Sequence, residues 1–180
     1  RTRQYHKGQL RKSGTPYLVH PLTMVSHAIS MGLIDEDLLV CLLYHDVLED
    51  CDEDIDNLGV TQRARTAIKL LTVDDQAKKK DKVAYYDKYY ENIGNNLIAT
   101  LGKLLDRANN VSTMSGVFSD AKLKEYVLET ETYILPLIRR AKDMYPDYSN
   151  QLFLLKYHIS SVLSAVSYAC DLADRIAGSP

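Results

Sequence analysis

The sequence predicts an all-α protein, a compact bundle of about seven or eight helices. Three observations carry that expectation. Glycine and proline are scarce, 8 and 5 in 180 residues. Apolar residues recur mostly at three- and four-residue spacing, the period of a helix face. Only one stretch, Lys12-Ser13-Gly14-Thr15-Pro16, concentrates breaker chemistry.

Each element then follows in order. Pro21 opens a helix that runs to about Met31, because the N–H that proline lacks is one the first helical turn leaves unbonded. Gly32 ends it, and Asp35 caps the next helix, roughly Glu36 to Glu49. Another spans about Thr61 to Leu71. The charged, tyrosine-rich segment Lys78 to Tyr90 reads as one amphipathic helix with a solvated basic face. Asn95 or Asn96 caps a helix that passes through Asp106 to about Met114, and Ser119 caps a long one to about Lys142. Asp147 to Ile176 forms the last, with Leu152, Leu155, Ile159, Val162, Val166 and Cys170 as its apolar stripe. No internal repeat or low-complexity tract interrupts this order, and a chain of 180 residues fits one domain, or a domain with a small helical extension.

Composition narrows the function classes. With 46% apolar residues the chain has material for a core. Basic and acidic residues nearly cancel, 22 against 24, for a net charge of −2. That balance excludes a general electrostatic pull toward nucleic acid or anionic membrane, so any anion must be held by a local cluster. Three cysteines, Cys41, Cys51 and Cys170, are odd in number and far apart, which fits reduced thiols rather than a disulfide framework. There is no signal-peptide pattern, and the longest apolar stretches are interrupted by Asp37, Lys156 or His158. A cytoplasmic protein without a membrane or nucleic-acid partner is the expectation.

The chemistry is concentrated in Tyr44-His45-Asp46-Val47-Leu48-Glu49-Asp50. On a helix, His45 and Glu49 are one turn apart, and so are Asp46 and Asp50. The preceding Leu38-Leu39-Val40-Cys41-Leu42-Leu43 should be buried, and polar groups placed straight after a buried run are costly unless something pairs them. A divalent cation would supply that pairing. A solvated acidic helix end accounts for Glu53 and Asp54, but carboxylates at a helix C-terminus are opposed by its dipole. A His-Asp dipeptide alone is a weak signal; its company strengthens it. His20 stands in Tyr17-Leu18-Val19-His20-Pro21 and Asp106 in Lys103-Leu104-Leu105-Asp106-Arg107-Ala108-Asn109-Asn110. Two histidines and two aspartates suit a metal that accepts mixed nitrogen and oxygen donors: manganese, iron or zinc, with manganese favoured by the carboxylate share.

The order His20, His45-Asp46, Asp106 resembles the HD superfamily of metal-dependent phosphohydrolases, and in detail the hydrolase domain of RelA/SpoT homologues and the small alarmone hydrolases. Three segments carry the resemblance: His6-x-x-Gln9-x-Arg11-Lys12-Ser13-Gly14-x-Pro16-Tyr17-x-x-His20-Pro21, Leu42-Leu43-Tyr44-His45-Asp46-x-x-Glu49-Asp50, and Lys103-Leu104-Leu105-Asp106-Arg107-x-x-Asn110. They lie within residues 6–114, with the C-terminal helices at 119–176, and imply one HD domain over 1–180. The resemblance implies that His20, His45, Asp46 and Asp106 bind Mn2+. It implies further that Glu49 and Asp50 activate or position the attacking water, and that Arg11, Lys12 and Asn110 hold a nucleotide. Ser13 and Thr113 fall where further substrate contacts belong, and Lys122 and Tyr126 loosely match a basic residue and a tyrosine that contact distal phosphates. Three positions depart from the family pattern: Tyr44 before the His-Asp pair, Leu105 in place of an alanine, and Leu58-Gly59 where Phe-Gly is usual.

The implied activity is (p)ppGpp 3′-pyrophosphohydrolysis, yielding GDP or GTP and pyrophosphate, without a synthetase. A phosphohydrolase acting on an adenosine alarmone or NADPH is the alternative within the fold, and a nucleotide sensor without turnover the alternative outside enzymes. Arg11 and Lys12 as plain surface charges, Asn110 as a helix–helix bond and Lys122 with Tyr126 as a solvated face are the bland readings against which the site is weighed. His6 and His27 fit core or surface histidines better than extra ligands.

Overall fold

Capping side chains decide where most helices begin. The computed structural model describes residues 2–51 and 53–177; among these the chain is helical without a β-strand, and eight helices have nine or more residues. It divides into two compact units, Arg1–Asp106 and Arg107–Pro180.

The first unit opens with a short helix α1 (Thr2–Tyr5) and a tight hairpin. In the hairpin, Arg11 N–H donates to the Thr15 carbonyl at 2.8 Å and Gly14 N–H to the Arg11 carbonyl at 2.8 Å. Gly14 holds φ at 83°, where a Cβ would be strained. Helix α2 (Val19–Ser30) starts two residues before Pro21, still within the turn whose N–H groups lack helical partners. Gly32 (φ 77°) lets the chain leave it while Leu33 N–H returns to the Ala28 carbonyl at 2.9 Å. Helix α3 (Glu36–Tyr44) is capped by Asp35, whose carboxylate accepts from Leu38 N–H at 3.1 Å.

The helix expected to reach Glu49 stops at Tyr44. His45 and Asp46 form a turn, and a short helix α4 (Val47–Asp50) follows. The cause is local: His45 Nδ1 bonds the Leu42 carbonyl at 2.9 Å, the group that a continuing helix would offer to Asp46 N–H. The ladder restarts on the Asp46 carbonyl, which accepts from Asp50 N–H at 2.9 Å.

Helix α5 (Gln62–Leu71) is capped by Thr61. The single helix expected over Lys78–Tyr90 is two, α6 (Asp75–Lys80) and α7 (Lys82–Gly94). Asp81 leaves the helical region (φ −154°, ψ 97°) so that its carboxylate can cap α7 through Ala84 N–H at 3.0 Å. Tyr86, Tyr89 and Tyr90 are buried, and Tyr89 Oη donates to the Leu71 carbonyl at 2.7 Å. Asn96 caps α8 (Leu97–Met114), which carries the last residues of the first unit and the first of the second. Gly102 allows α8 a close approach: a Cβ there would lie 3.1 Å from Leu71 Cδ1 and 3.8 Å from Cys41 Sγ. One turn later stands Asp106.

In the second unit, Ser119 caps α9 (Asp120–Glu129), a π-helical turn spans Thr130–Ile134, and α10 (Leu135–Met144) continues. Pro136 would clash with the carbonyl four residues back, and the widened turn just before it relieves that clash. Helix α11 (Ser149–Ala177) buries Leu152, Leu155, Ile159, Leu163, Val166 and Cys170; Leu163 takes the place expected of Val162, which is half-buried. By length and composition alone Pro146–Ala177 would also cross a membrane, but this stripe is core within its unit, and Lys156 and His158 stand mid-helix. Cys41, Cys51 and Cys170 are all free thiols.

Candidate active site

Three places in the first unit aim donors at one point. His20 comes from the first turn of α2, His45 and Asp46 from the turn between α3 and α4, and Asp106 from α8. His45 Nε2 lies 3.2 Å from His20 Nε2 and 2.9 Å from Asp46 Oδ2. His20 Nε2 lies 3.7 Å from Asp46 Oδ2 and 3.3 Å from Asp106 Oδ1, and His45 Nε2 lies 3.8 Å from that same oxygen. Two donors that each stand about 2.1 Å from a shared cation can be no more than about 4.2 Å apart. All five separations meet that limit; the ligand atoms of His20, His45 and Asp46 lie close enough together to hold a metal ion, and Asp106 stands against both histidines. His45 Nδ1 donates to the Leu42 carbonyl, which assigns the ring's proton to that side and turns the Nε2 lone pair toward the cluster.

The electrostatics agree. Burial, the largest influence on His45, opposes a charged ring, yet Asp46 and Asp106 outweigh it and raise its pKa to about 9. Burial would raise both aspartates. His45 instead holds the Asp46 carboxyl below its usual range, and Lys103 with the two imidazoles holds Asp106 far below. Without a cation the cluster therefore keeps a proton where positive charge is wanted.

Glu49 and Asp50 lie on α4 beside the cluster. Packing around Glu49 strips water from its carboxyl and raises its pKa to about 6, with Asp46 adding to the shift and the Val73 N–H and Lys103 opposing it. Its Oε1 accepts from Val73 N–H at 2.6 Å, although the residue remains solvent-accessible. Lys103 was not singled out in the sequence. Its Nζ stands 3.5 Å from Asp106 Oδ2 and 5.7 Å from the centre of the Tyr89 ring, and its position one turn before Asp106 is the signal that marks it. Tyr17, two residues before Val19 in the first of the three segments, joins the site as well. Its hydroxyl donates to Asp46 Oδ2, and burial together with Asp46 and Asp50 keeps the phenol protonated well above its ordinary range.

Arg11, Lys12 and Ser13 occupy the hairpin, with Lys12 and Ser13 exposed and Ser13 Oγ 2.9 Å from Thr15 Oγ1. The remaining residues belong to the second unit. Asn110 follows Asp106 by one turn of α8, and Thr113 Oγ1 donates to the Asn109 carbonyl at 3.1 Å. Lys122 pairs with Glu125 at 2.8 Å, and the Tyr126 ring lies under the buried Arg107 guanidinium, 4.0 Å from its carbon. Of the two extra histidines, His6 is buried with Nδ1 2.7 Å from Gln9 Oε1, and His27 is half-buried on α2.

No family model matches the chain. It is similar to the guanosine-3′,5′-bis(diphosphate) 3′-pyrophosphohydrolases of Aquifex aeolicus (30% identical over 145 residues) and Vibrio cholerae (32% over 151). It is also similar to the bifunctional (p)ppGpp synthase/hydrolase SpoT of Escherichia coli K12 (31% over 144). Over that stretch these similarities support a hydrolase domain of the RelA/SpoT type. Each alignment takes in 77% of this chain, which spans 20% of the length of each of these relatives. The departures from the RelA/SpoT pattern have plain structural roles. Leu58 and Leu105 are fully buried, so Leu58 supplies the apolar side chain that phenylalanine otherwise would, and Gly59 holds φ at 64°. Tyr44 meets Tyr5 edge to face, with ring centres 6.1 Å apart.

Proposed function

We propose that this chain is a Mn2+-dependent phosphohydrolase that removes pyrophosphate from guanosine-3′,5′-bis(diphosphate), leaving GDP, and from its pentaphosphate, leaving GTP. Residues 1–180 would form one HD domain acting in the cytoplasm. The observation that supports the reading is the cluster of His20, His45 and Asp46, with Asp106 against both histidines, in a chain similar to proteins that bear that activity in their names.

A cation held by these four residues supplies positive charge for phosphoryl oxygens and acidifies water toward neutral pH. The chain's own groups do the rest. Glu49, with a pKa near 6, is ionised at neutral pH and still basic enough to take the proton of the attacking water. Val73 N–H holds Glu49 Oε1, which leaves Oε2 for that proton. Asp50, the next residue, orients the water. The water oxygen bonds to the phosphorus attached at the ribose 3′ position, the O3′–P bond breaks, O3′ takes up the proton that Glu49 accepted, and pyrophosphate leaves carrying the water oxygen. Arg11 would stack on the base and Lys12 neutralise a phosphate, with Ser13 donating from the same hairpin. Asn110, Thr113, Lys122 and Tyr126 are carried from the resemblance as further substrate contacts.

The test is incubation of the Mn2+-loaded protein with ppGpp, a pppApp-type nucleotide and NADPH, scoring phosphate against pyrophosphate. GDP and pyrophosphate from ppGpp are expected. Hydrolysis of another nucleotide with ppGpp untouched overturns the substrate and keeps the chemistry; binding without any turnover leaves a sensor.

A further inference from the structure

We propose that Tyr17 is a positioning residue that fixes the Asp46 carboxylate in the metal centre and ties the Arg11–Thr15 hairpin to it. The inference rests on reading His20, His45, Asp46 and Asp106 as metal ligands.

Asp46 has little of its own to orient it. It occupies the turn between α3 and α4 (φ −99°, ψ −5°), and its side chain makes no capping bond to the helix it precedes. The Tyr17 hydroxyl donates to Asp46 Oδ2, the oxygen that lies 2.9 Å from His45 Nε2 and 3.7 Å from His20 Nε2. A carboxylate oxygen has two lone pairs, so a bond from Tyr17 leaves one for a cation and fixes where it points.

Tyr17 is itself held from several directions. Its ring stacks on buried His6, centres 4.5 Å apart and planes 20° apart, and meets the His20 ring edge to face at 6.1 Å. Its N–H donates to the Gln9 carbonyl at 2.9 Å, closing the base of the hairpin, and its carbonyl accepts from His20 N–H at 3.0 Å. The Gln9 side chain lies 2.7 Å from His6 Nδ1 and donates to the Asp50 carbonyl at 3.2 Å. Thus the ring is anchored to the hairpin, to α2 and to the end of α4, and the hydroxyl transmits that rigidity to one ligand oxygen.

The test is Tyr17→Phe, which keeps the stacked ring and removes only the hydroxyl, compared with Gly14→Ala. The second variant strains the hairpin at φ +83° but adds a Cβ with no atom within 4 Å. Mn2+ affinity is read by titration calorimetry and by the EPR signal of free Mn2+, with circular dichroism checking that each variant folds. Loss of a hydrogen-bond partner behind a ligand typically weakens metal binding about 10–100-fold, and that is the expected loss for Tyr17→Phe. Gly14→Ala should raise KM for the nucleotide while leaving Mn2+ affinity at the wild-type level. Equal Mn2+ affinity in Tyr17→Phe and wild type overturns this inference alone. Equal weakening by both variants also overturns it, because a loosened hairpin then explains the effect. A wild-type protein that binds no Mn2+ overturns the metal-centre reading and this inference with it.

Discussion

Metal binding by this cluster must compete with a proton. In the metal-free protein, Asp46 and Asp106 lift His45 to a pKa of about 9, so its ring is charged at pH 7. A cation needs the Nε2 lone pair that this proton occupies, so binding at pH 7 should expel about one proton from His45. Each pH unit below about 9 then costs roughly a factor of ten in apparent affinity. Between pH 7 and 8, Mn2+ should therefore bind about tenfold more tightly at the higher pH, with the gain levelling off near pH 9. The sign for stability follows from the same raised pKa. The charged ring stabilises the metal-free fold fully below the unfolded value of 6.5, and that contribution is lost as pH rises through about 9. The assay is calorimetric titration with Mn2+ in buffers of different ionisation enthalpy, paired with melting curves across this range. An affinity that does not change between pH 7 and 8, with no proton released, would refute the electrostatic account.

Four further outcomes are expected. Glu49→Gln and Asp50→Asn should each keep metal and lower turnover about 10²–10⁴-fold; losses under about threefold at both positions would remove them from the chemistry. The rate should fall as pH drops through a value at or below about 6, since Glu49 acts as the carboxylate and a cation would lower its pKa as Lys103 does; this limb should vanish in Glu49→Gln. Arg11→Ala should raise KM with metal retained, as measured by steady-state kinetics beside Mn2+ titration. Gly102→Leu should destabilise the first unit by about 1–3 kcal/mol, because the space beside Leu71 Cδ1 and Cys41 Sγ is already filled, and chemical denaturation would report it.

Helix identity and starts were legible where a single side chain settles them. Asp35, Asn96 and Ser119 cap as expected, and Thr61, where a helix was expected to begin, caps it, because an N-cap is decided within three residues of chain. The breaks were harder. Asp81 inside a run of lysines and tyrosines looks like one more polar residue on a helical face, and only its own capping bond to Ala84 shows that the chain turns there. The π turn before Pro136 answers a clash that helical periodicity does not display. In the site, the residues that would touch metal or water stood out through their types and order. Their supports did not: the Val73 N–H that holds Glu49 is 24 positions away, and Tyr17 lies 29 positions from Asp46. Such bonds depend on which turns meet in space, and no local pattern encodes that.

The break between α3 and α4 falls at the His-Asp pair itself. Consecutive residues on an α-helix point about 100° apart, so His45 and Asp46 on a regular helix would face different neighbours. His45 keeps helical dihedrals (φ −56°, ψ −33°) and Asp46 departs from them (φ −99°, ψ −5°), and His45 Nε2 lies 2.9 Å from Asp46 Oδ2. The interruption is supported from within: the imidazole Nδ1 takes the Leu42 carbonyl, and the Asp46 carbonyl restarts the ladder to Asp50. The same bond that ends α3 fixes the tautomer of His45, so backbone geometry and ligand chemistry are set by one contact. The restarted turn then carries Glu49 and Asp50 as its last two residues, which ties the groups assigned to the water to the break that aims the donors.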